Sequence, residues 1–97
     1  MKMSSLTMAF GAIALGVVPV MAQDATQLAQ SKGCMTCHAL DQAKMGPSFK
    51  DVAAKYKGQG GAAATLVTEL KDGTGHMKID ASDAELQQLI GYVLAAQ

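Results

Sequence analysis

The sequence predicts a small all-α domain of three or four short helices, and three observations lead to this prediction. No stretch of the chain alternates β-branched and polar residues between turn signals, as a half-buried strand would. Helix caps followed by apolar residues at helical spacing occur several times along the chain. Glycine-containing segments separate these stretches, which makes them short helices joined by loops.

The first 22 residues have the pattern of a cleaved secretory signal peptide. Lys2 is a short basic start, residues 6–18 are mostly apolar, and residues 20–22 fit the small-x-small rule for signal peptidase. The apolar run is shorter than the roughly 20 residues that a membrane-spanning helix needs. We therefore predict a signal peptide over 1–22 and one domain over 23–97, with an uncleaved N-terminal anchor as the alternative.

The predicted domain is too small to depend on a protein core alone. At 75 residues, an apolar core seldom contributes more than about 3–5 kcal/mol, so small folds add a disulfide, a metal or another staple. The aromatic residues of this part are only Phe49, Tyr56 and Tyr92. Seven lysines, no arginine and eight acidic residues give it a net charge of −1, and nothing in this composition suggests the clustered basic face of a nucleic-acid-binding protein.

The first two helices are predicted from their caps. Asp24 can cap a helix that runs to about Lys32, with Gly33 as its stop. Ser48, with Asp51 three residues later, forms a weak capping box for a helix that reaches to about residue 57.

The last two helices have clearer signals. A helix is predicted over 62–71 with Gly73 as its stop. Ser82 and Glu85 form an S-x-x-E capping box, in which each side chain accepts a hydrogen bond from the backbone N–H of the other residue. The apolar residues that follow at helical spacing form a stripe that we expect to be buried: Leu86, Leu89, Ile90, Val93 and Leu94.

The chain's two cysteines, Cys34 and Cys37, are separated by two residues and followed directly by His38. Three chemistries use such a group: a redox-active disulfide, a structural zinc site and covalent haem attachment. A thioredoxin-type disulfide needs a βαβ context, and no strand is predicted. A zinc site needs four ligands, the only further His is His76, and His38 follows Cys37 too closely for both to reach one tetrahedral centre easily.

Covalent haem fits the motif best, because C-x-x-C-H is the signature of c-type haem attachment. Each cysteine forms a thioether with one vinyl group of the haem, and the adjacent histidine is held on one face of the ring, where its imidazole reaches the iron. A haem would also fill a core that lacks large side chains. We predict one covalent haem c, bound through Cys34 and Cys37, with His38 as an iron ligand.

Residues 23–97 resemble the small bacterial class I cytochromes c of the c-551 and c-552 type. Three segments carry the resemblance: KGCMTCHAL at 32–40, KMGPSFKDVAAKY at 44–56 and ASDAELQQLIGYVLAAQ at 81–97. The resemblance implies a class I cytochrome c fold, in which three to four helices wrap around one covalently bound haem. It also implies that the N- and C-terminal helices cross near the attachment segment.

The same resemblance implies roles for three residues around this crossing. Gly33 or its neighbours would allow the helices to approach closely, and Tyr92 would supply the aromatic ring at the contact. The Pro47 carbonyl would accept a hydrogen bond from the His38 ring, which fixes the orientation of the imidazole and raises its basicity.

The second axial ligand of the iron is implied to be Met77. In the family a methionine sulfur closes the other face of the haem, and Met77 occupies that position of the pattern. Met45 stands two residues before Pro47 and so belongs on the histidine side, while Met35 lies between the cysteines and cannot fold back onto the iron.

The loop around Met77 departs from the family pattern. Relatives usually flank this methionine with prolines in a longer loop, whereas residues 75–79 are short and contain no proline. We therefore expect a less rigid loop, with His76 and Lys78 as rival nitrogen ligands.

These features predict a soluble periplasmic one-electron carrier that acts between respiratory or photosynthetic redox partners. With both axial positions filled by protein, the iron would cycle between Fe(III) and Fe(II) and would not bind substrate, so the protein would not be an enzyme. The expected partners are membrane-bound oxidoreductase complexes and periplasmic terminal oxidases or reductases, and the expected state is a monomer without a membrane anchor. The alternatives are an open-site haem sensor or weak peroxidase, if Met77 does not bind the iron, and a cytochrome subunit of a larger complex.

Overall fold

The computed structural model describes residues 20–97, with side chains from residue 25 onward. Most of the predicted signal peptide therefore lies outside the described residues. Within them the chain has no β-strand, which confirms the all-α prediction. Its five helices are α1 (Val20–Ser31), α2 (Cys34–Cys37), α3 (Phe49–Lys55), α4 (Ala62–Asp72) and α5 (Asp83–Leu94). None of the described helices is long and apolar enough to cross a membrane.

Two helices differ from the sequence prediction. Helix α1 begins at Val20, four residues before the cap predicted at Asp24, since no residue between them breaks a helix. The single turn α2 was not predicted, because four residues are too few to show a helical period. It starts after Gly33, whose φ of 82° is left-handed and favours glycine, and the His38 N–H donates to the Cys34 carbonyl at 3.0 Å.

The predicted caps of α3 and α5 are present. The Ser48 hydroxyl accepts a hydrogen bond from the Asp51 N–H at 3.1 Å, and α3 ends at Lys55, two residues earlier than expected. At α5 the capping box is complete: the Ser82 hydroxyl accepts from the Glu85 N–H at 3.2 Å, and the Glu85 carboxylate accepts from the Ser82 N–H at 2.9 Å. These local bonds fix where each helix begins.

Helix α5 is the centre of the packing, since α1, α3 and α4 all contact it. Ala29 of α1 meets Leu86 and Leu89 of α5 in a cluster whose members are at most 2 % exposed. Cys34 and Met35 of the attachment turn are partly buried against the same cluster. The contact of the first and last helices thus lies beside the cysteines.

The close approach expected at Gly33 or its neighbours is made at Ala29 instead. A Cβ atom on Gly33 would meet no atom within 4 Å, so its lack of a side chain serves the left-handed turn and not helix packing. Ala29, only 1 % exposed, is the small residue at the contact. Tyr92 packs against the cluster and also meets the ring of Phe49 edge to face, with centroids 5.9 Å apart.

Candidate functional site

A cavity of about 410 Å³ opens between the helices and is lined by residues of all five. Its walls are mainly apolar side chains from α3, α4 and α5: Phe49, Val52, Leu66, Leu70, Leu89, Ile90 and Val93. The remaining wall carries the groups that the sequence singled out, namely Cys34, Cys37, His38, His76 and Met77. The fold therefore brings both thiols, both imidazoles and one thioether of the described residues to one apolar space.

His38 is oriented by the backbone of the following loop. Its Nδ1 lies 2.6 Å from the Pro47 carbonyl oxygen, which is the contact that the resemblance implied. Because a carbonyl can only accept, Nδ1 carries the proton and donates it, which in the neutral imidazole leaves the lone pair on Nε2. This neutral tautomer is the form of histidine that binds a metal ion.

Gly46 lets the loop pass against the His38 ring, a role that the sequence reasoning missed. A Cβ atom on Gly46 would lie 2.8 Å from Nδ1 and 2.9 Å from Nε2 of His38, and it would also overlap Cε1. The Gly46 N–H donates to the Cys37 carbonyl at 2.8 Å, which holds the loop in place. A glycine directly before Pro47, whose carbonyl must reach the imidazole, was the signal that could have revealed it.

Phe49 supports the same imidazole from the core side. It is 3 % exposed, and its ring centroid lies 5.3 Å from that of His38 with an angle of 26° between the planes. Its N–H also donates to the Ala39 carbonyl at 2.9 Å. Since Tyr92 of α5 packs on the edge of Phe49, the central helix supports His38 through two aromatic rings.

The loop after α4 forms the opposite wall of the cavity. Met77 lines the cavity and is 68 % exposed. His76 is partly buried, and its ring lies nearly parallel to that of His38, at 9°, with the centroids 6.0 Å apart. Its Nδ1 lies 2.7 Å from the Met77 carbonyl oxygen.

The other residues weighed as iron ligands lie elsewhere. Met45 is 88 % exposed and does not line the cavity. Met35 packs against the hydrophobic cluster of α1 and α5. Lys78 is exposed and is also outside the cavity wall. Between residues 25 and 97, Met77 is thus the only methionine that lines this space.

The geometry of the described residues does not support the other two interpretations of the motif, a redox-active disulfide and a structural zinc site. Burial raises the pKa of the Cys34 thiol, whereas a thioredoxin-type disulfide needs a first cysteine with a lowered pKa. The described residues also contain no group of three or more His, Cys, Asp or Glu side chains suited to hold a metal ion, so they offer no preformed zinc site.

The cavity does fit a haem c. Its walls are largely apolar, as a porphyrin requires, and the two thiols lie at one side of it beside an imidazole in the ligand tautomer. The missing Cβ at Gly46 gives that imidazole its room. The donor set of thiols, imidazole nitrogen and thioether sulfur is the one that attaches a c-type haem and binds its iron.

Comparison with known proteins gives the same cofactor. The cytochrome c family model matches residues 22–97. The chain is 42% identical to cytochrome c-551 of Pseudomonas aeruginosa, over 76% of this chain and 78% of that protein. It is 40% identical to cytochrome c-552 of Hydrogenobacter thermophilus, over 71% of this chain and 78% of that protein.

Solved structures agree with these matches. The class 1 cytochrome MtoD from Sideroxydans lithotrophicus is 33% identical with a TM-score of 0.70, over 82% of this chain and 98% of that one. Cytochrome c552 of Nitrosomonas europaea is 31% identical with a TM-score of 0.65, over 74% of this chain and 99% of that one. The cofactor of this protein is one covalently attached haem c.

Proposed function

The chain belongs to the cytochrome c family and is a haem-containing electron-carrier cytochrome, and we propose that it carries single electrons in the periplasm with its iron held between His38 and Met77. One observation carries the proposal: both thiols, the His38 imidazole and the Met77 thioether line a single, largely apolar cavity.

Cys34 and Cys37 are the proposed attachment residues. They are the chain's only cysteines, and α2 places them three residues apart on one helical turn, so that both thiols project to the same side. Their sulfurs would form the two thioether bonds. Because α2 packs directly on α1, these bonds would tie the cofactor to the helix contact at Ala29.

The proposed ligand roles follow from what the side chains do in the fold. When bound, haem c supplies an iron that exchanges one electron between its ferric and ferrous states. The Pro47 carbonyl holds the His38 ring and raises the basicity of its Nε2. The apolar walls would keep water from a bound iron, and their low polarity would disfavour the extra positive charge of the ferric form. Filling both axial positions with protein supports electron transfer over catalysis.

Ligation by Met77 is tested by spectroscopy of the ferric protein. The wild type is expected to show the charge-transfer band of a sulfur–iron bond, and Met77→Ala is expected to lose it and to have a lower reduction potential. Each tenfold loss of relative ferrous stabilisation lowers the potential by about 59 mV. Met45→Ala is the matched control, since its exposed side chain lies outside the cavity.

Two results would contradict ligation of the iron by Met77. If the band survives in Met77→Ala, another residue binds the iron. If the reduced wild type binds carbon monoxide readily, the sixth position is open, and the protein is a haem sensor or weak peroxidase instead of a closed electron carrier.

Export is proposed from the pattern of residues 1–22. Mass spectrometry of the native protein should find a chain that starts at Gln23 and carries one haem, in the periplasmic fraction. A membrane-bound chain that keeps residues 1–22 would instead identify this segment as an anchor. The proposed partners are membrane-bound oxidoreductase complexes and periplasmic oxidases or reductases, with the carrier itself a monomer.

A further inference from the structure

We infer that His76 is a reserve ligand of the iron, which occupies the sixth coordination position when the Met77 sulfur leaves it. The inference rests on the proposed function, because it takes Met77 as the ligand of the resting protein. When the bond between the iron and the Met77 sulfur is broken, His76 binds the iron instead. The sixth coordination position then does not stay open to other ligands.

The geometry of the two imidazoles carries the inference. The rings of His38 and His76 line the same cavity, are parallel to within 9° and have centroids 6.0 Å apart. A ring nitrogen binds a first-row metal ion at about 2.0–2.1 Å. The centre of an imidazole lies about 1 Å beyond that nitrogen, so two imidazoles on opposite sides of one metal have centres about 6 Å apart. The observed centroid distance of 6.0 Å matches this value, so His76 lies within reach of a metal ion bound to His38.

The tautomer of His76 is also that of a ligand. Its Nδ1 is 2.7 Å from the Met77 carbonyl oxygen, which can only accept, so Nδ1 carries the proton, and in the neutral imidazole the lone pair is on Nε2. His38 has the same arrangement toward Pro47. Metal-binding histidines generally donate their other N–H to such a partner, which fixes ring orientation and tautomer.

The loop allows the exchange without a change in the helices. Its ends are held by hydrogen bonds from the Gly73 and Ile79 N–H groups to carbonyls of α4, at 2.8 and 2.9 Å. His76 and Met77 are neighbours between these ends. Both side chains line the cavity, so the loop presents a thioether and an imidazole to the same space.

The step is a ligand substitution that balances without any co-reactant. The iron–sulfur bond breaks, a bond from His76 Nε2 to the iron forms, and neither an electron nor a proton is transferred, because Nδ1 keeps its hydrogen. Since methionine–histidine ligation raises the potential relative to two histidines, the exchanged form is a weaker oxidant. It also remains closed to small ligands such as carbon monoxide.

The test compares holoprotein variants by absorption and electron paramagnetic resonance spectra, carbon monoxide binding and redox titration. Met77→Ala is expected to lose the sulfur band yet remain six-coordinate and low-spin, with a lowered potential and no carbon monoxide binding. Adding His76→Ala to Met77→Ala should give a high-spin iron that binds carbon monoxide. Adding Lys78→Ala instead is the matched control, and it should leave the Met77→Ala spectrum unchanged.

The wild type supplies a second measurement that does not depend on a variant's folding. Mild denaturant, below the unfolding transition, should abolish the sulfur band while the iron stays low-spin; a high-spin iron at that point would overturn the inference. A high-spin Met77→Ala that binds carbon monoxide as the double variant does would also overturn it and leave Met77 ligation intact. If the wild type lacks the sulfur band and His76→Ala shows it, His76 is the ligand of the resting protein. That result would overturn both the reserve role of His76 and the proposed ligation by Met77.

Discussion

The two walls that face each other across the cavity are built in different ways. The histidine wall, residues 33–49, is held by main-chain bonds between neighbouring segments, such as Gly46 N–H to Cys37 carbonyl at 2.8 Å, and it is supported by the buried ring of Phe49. The methionine wall, residues 73–81, is held by bonds to α4 near its two ends. Its principal ligand candidate, Met77, is largely exposed.

The histidine wall and the methionine wall therefore differ in how they hold the side chains that they present to the cavity. The proposed ligand His38 is held in orientation by backbone atoms and a packed aromatic ring. The other face carries two adjacent donors, a thioether and an imidazole, in a loop with a proline-free sequence. A rigid wall suits an electron carrier, since a fixed ligand needs little rearrangement on changing oxidation state, whereas the second wall is where ligand choice can vary.

The largest expected effect comes from removing the group that both walls face. The double variant Cys34→Ala, Cys37→Ala should lose the covalent haem and with it most of the fold, because a core of this size contributes only about 3–5 kcal/mol. Circular dichroism should show a largely disordered chain without a cooperative melting transition. A stably helical apoprotein would contradict the prediction and would mean that both walls form without the cofactor.

A smaller but still large effect is expected from filling the space at the histidine wall. Gly46→Ala places a methyl group on the His38 ring, so the imidazole or the loop must move, at a cost of about 1–3 kcal/mol. Denaturant unfolding should show this loss, and redox titration should show a shifted potential. Gly60→Ala is the matched control, since a Cβ there meets nothing within 4 Å and should be neutral or slightly stabilising. Equal stability of the two variants would show that the histidine wall is not rigid.

The same contrast explains what the sequence could predict. The attachment motif and both helix caps depend on residues close in sequence, so local pattern was enough to find them, while the Pro47 contact was implied by the family resemblance. Gly46 was missed because its role is a close three-dimensional contact with the His38 ring, whereas His76 was expected as a rival ligand and its ring lies parallel to that of His38. Single-turn α2 carries no periodic signal at all.

Removing the serine cap in the histidine wall, Ser48, should cost more stability than removing the cap of α5, Ser82. Ser48 begins α3 next to Pro47 and is only 3 % exposed, whereas Ser82 begins α5 at an exposed position. Replacing Ser82 by alanine should cost about 1 kcal/mol, the usual value of a lost cap. Ser48→Ala should cost more, because its hydroxyl is buried and its hydrogen bond to the Asp51 N–H is partly shielded from water. The free energies of unfolding of both variants, measured side by side, decide this; equal losses would remove the distinction.

The smallest expected effect is the acid sensitivity of the cap at α5. The hydrogen bond from the Ser82 backbone N–H is the main cause that lowers the pKa of the Glu85 carboxyl from 4.5, and the charge of Lys32 adds to it more weakly. Because the folded pKa is the lower one, the carboxylate stabilises the fold above pH 4.5, and this contribution is lost as the pH falls through the folded value. The stability difference between wild type and Glu85→Gln should therefore be constant near neutrality and disappear on acidification. Lys32→Ala should keep most of this pH dependence, since its ammonium lies 3.8 Å from the carboxylate in a solvent-screened pair. If Lys32→Ala removes it entirely, the ion pair and not the capping bond sets the acid response of α5.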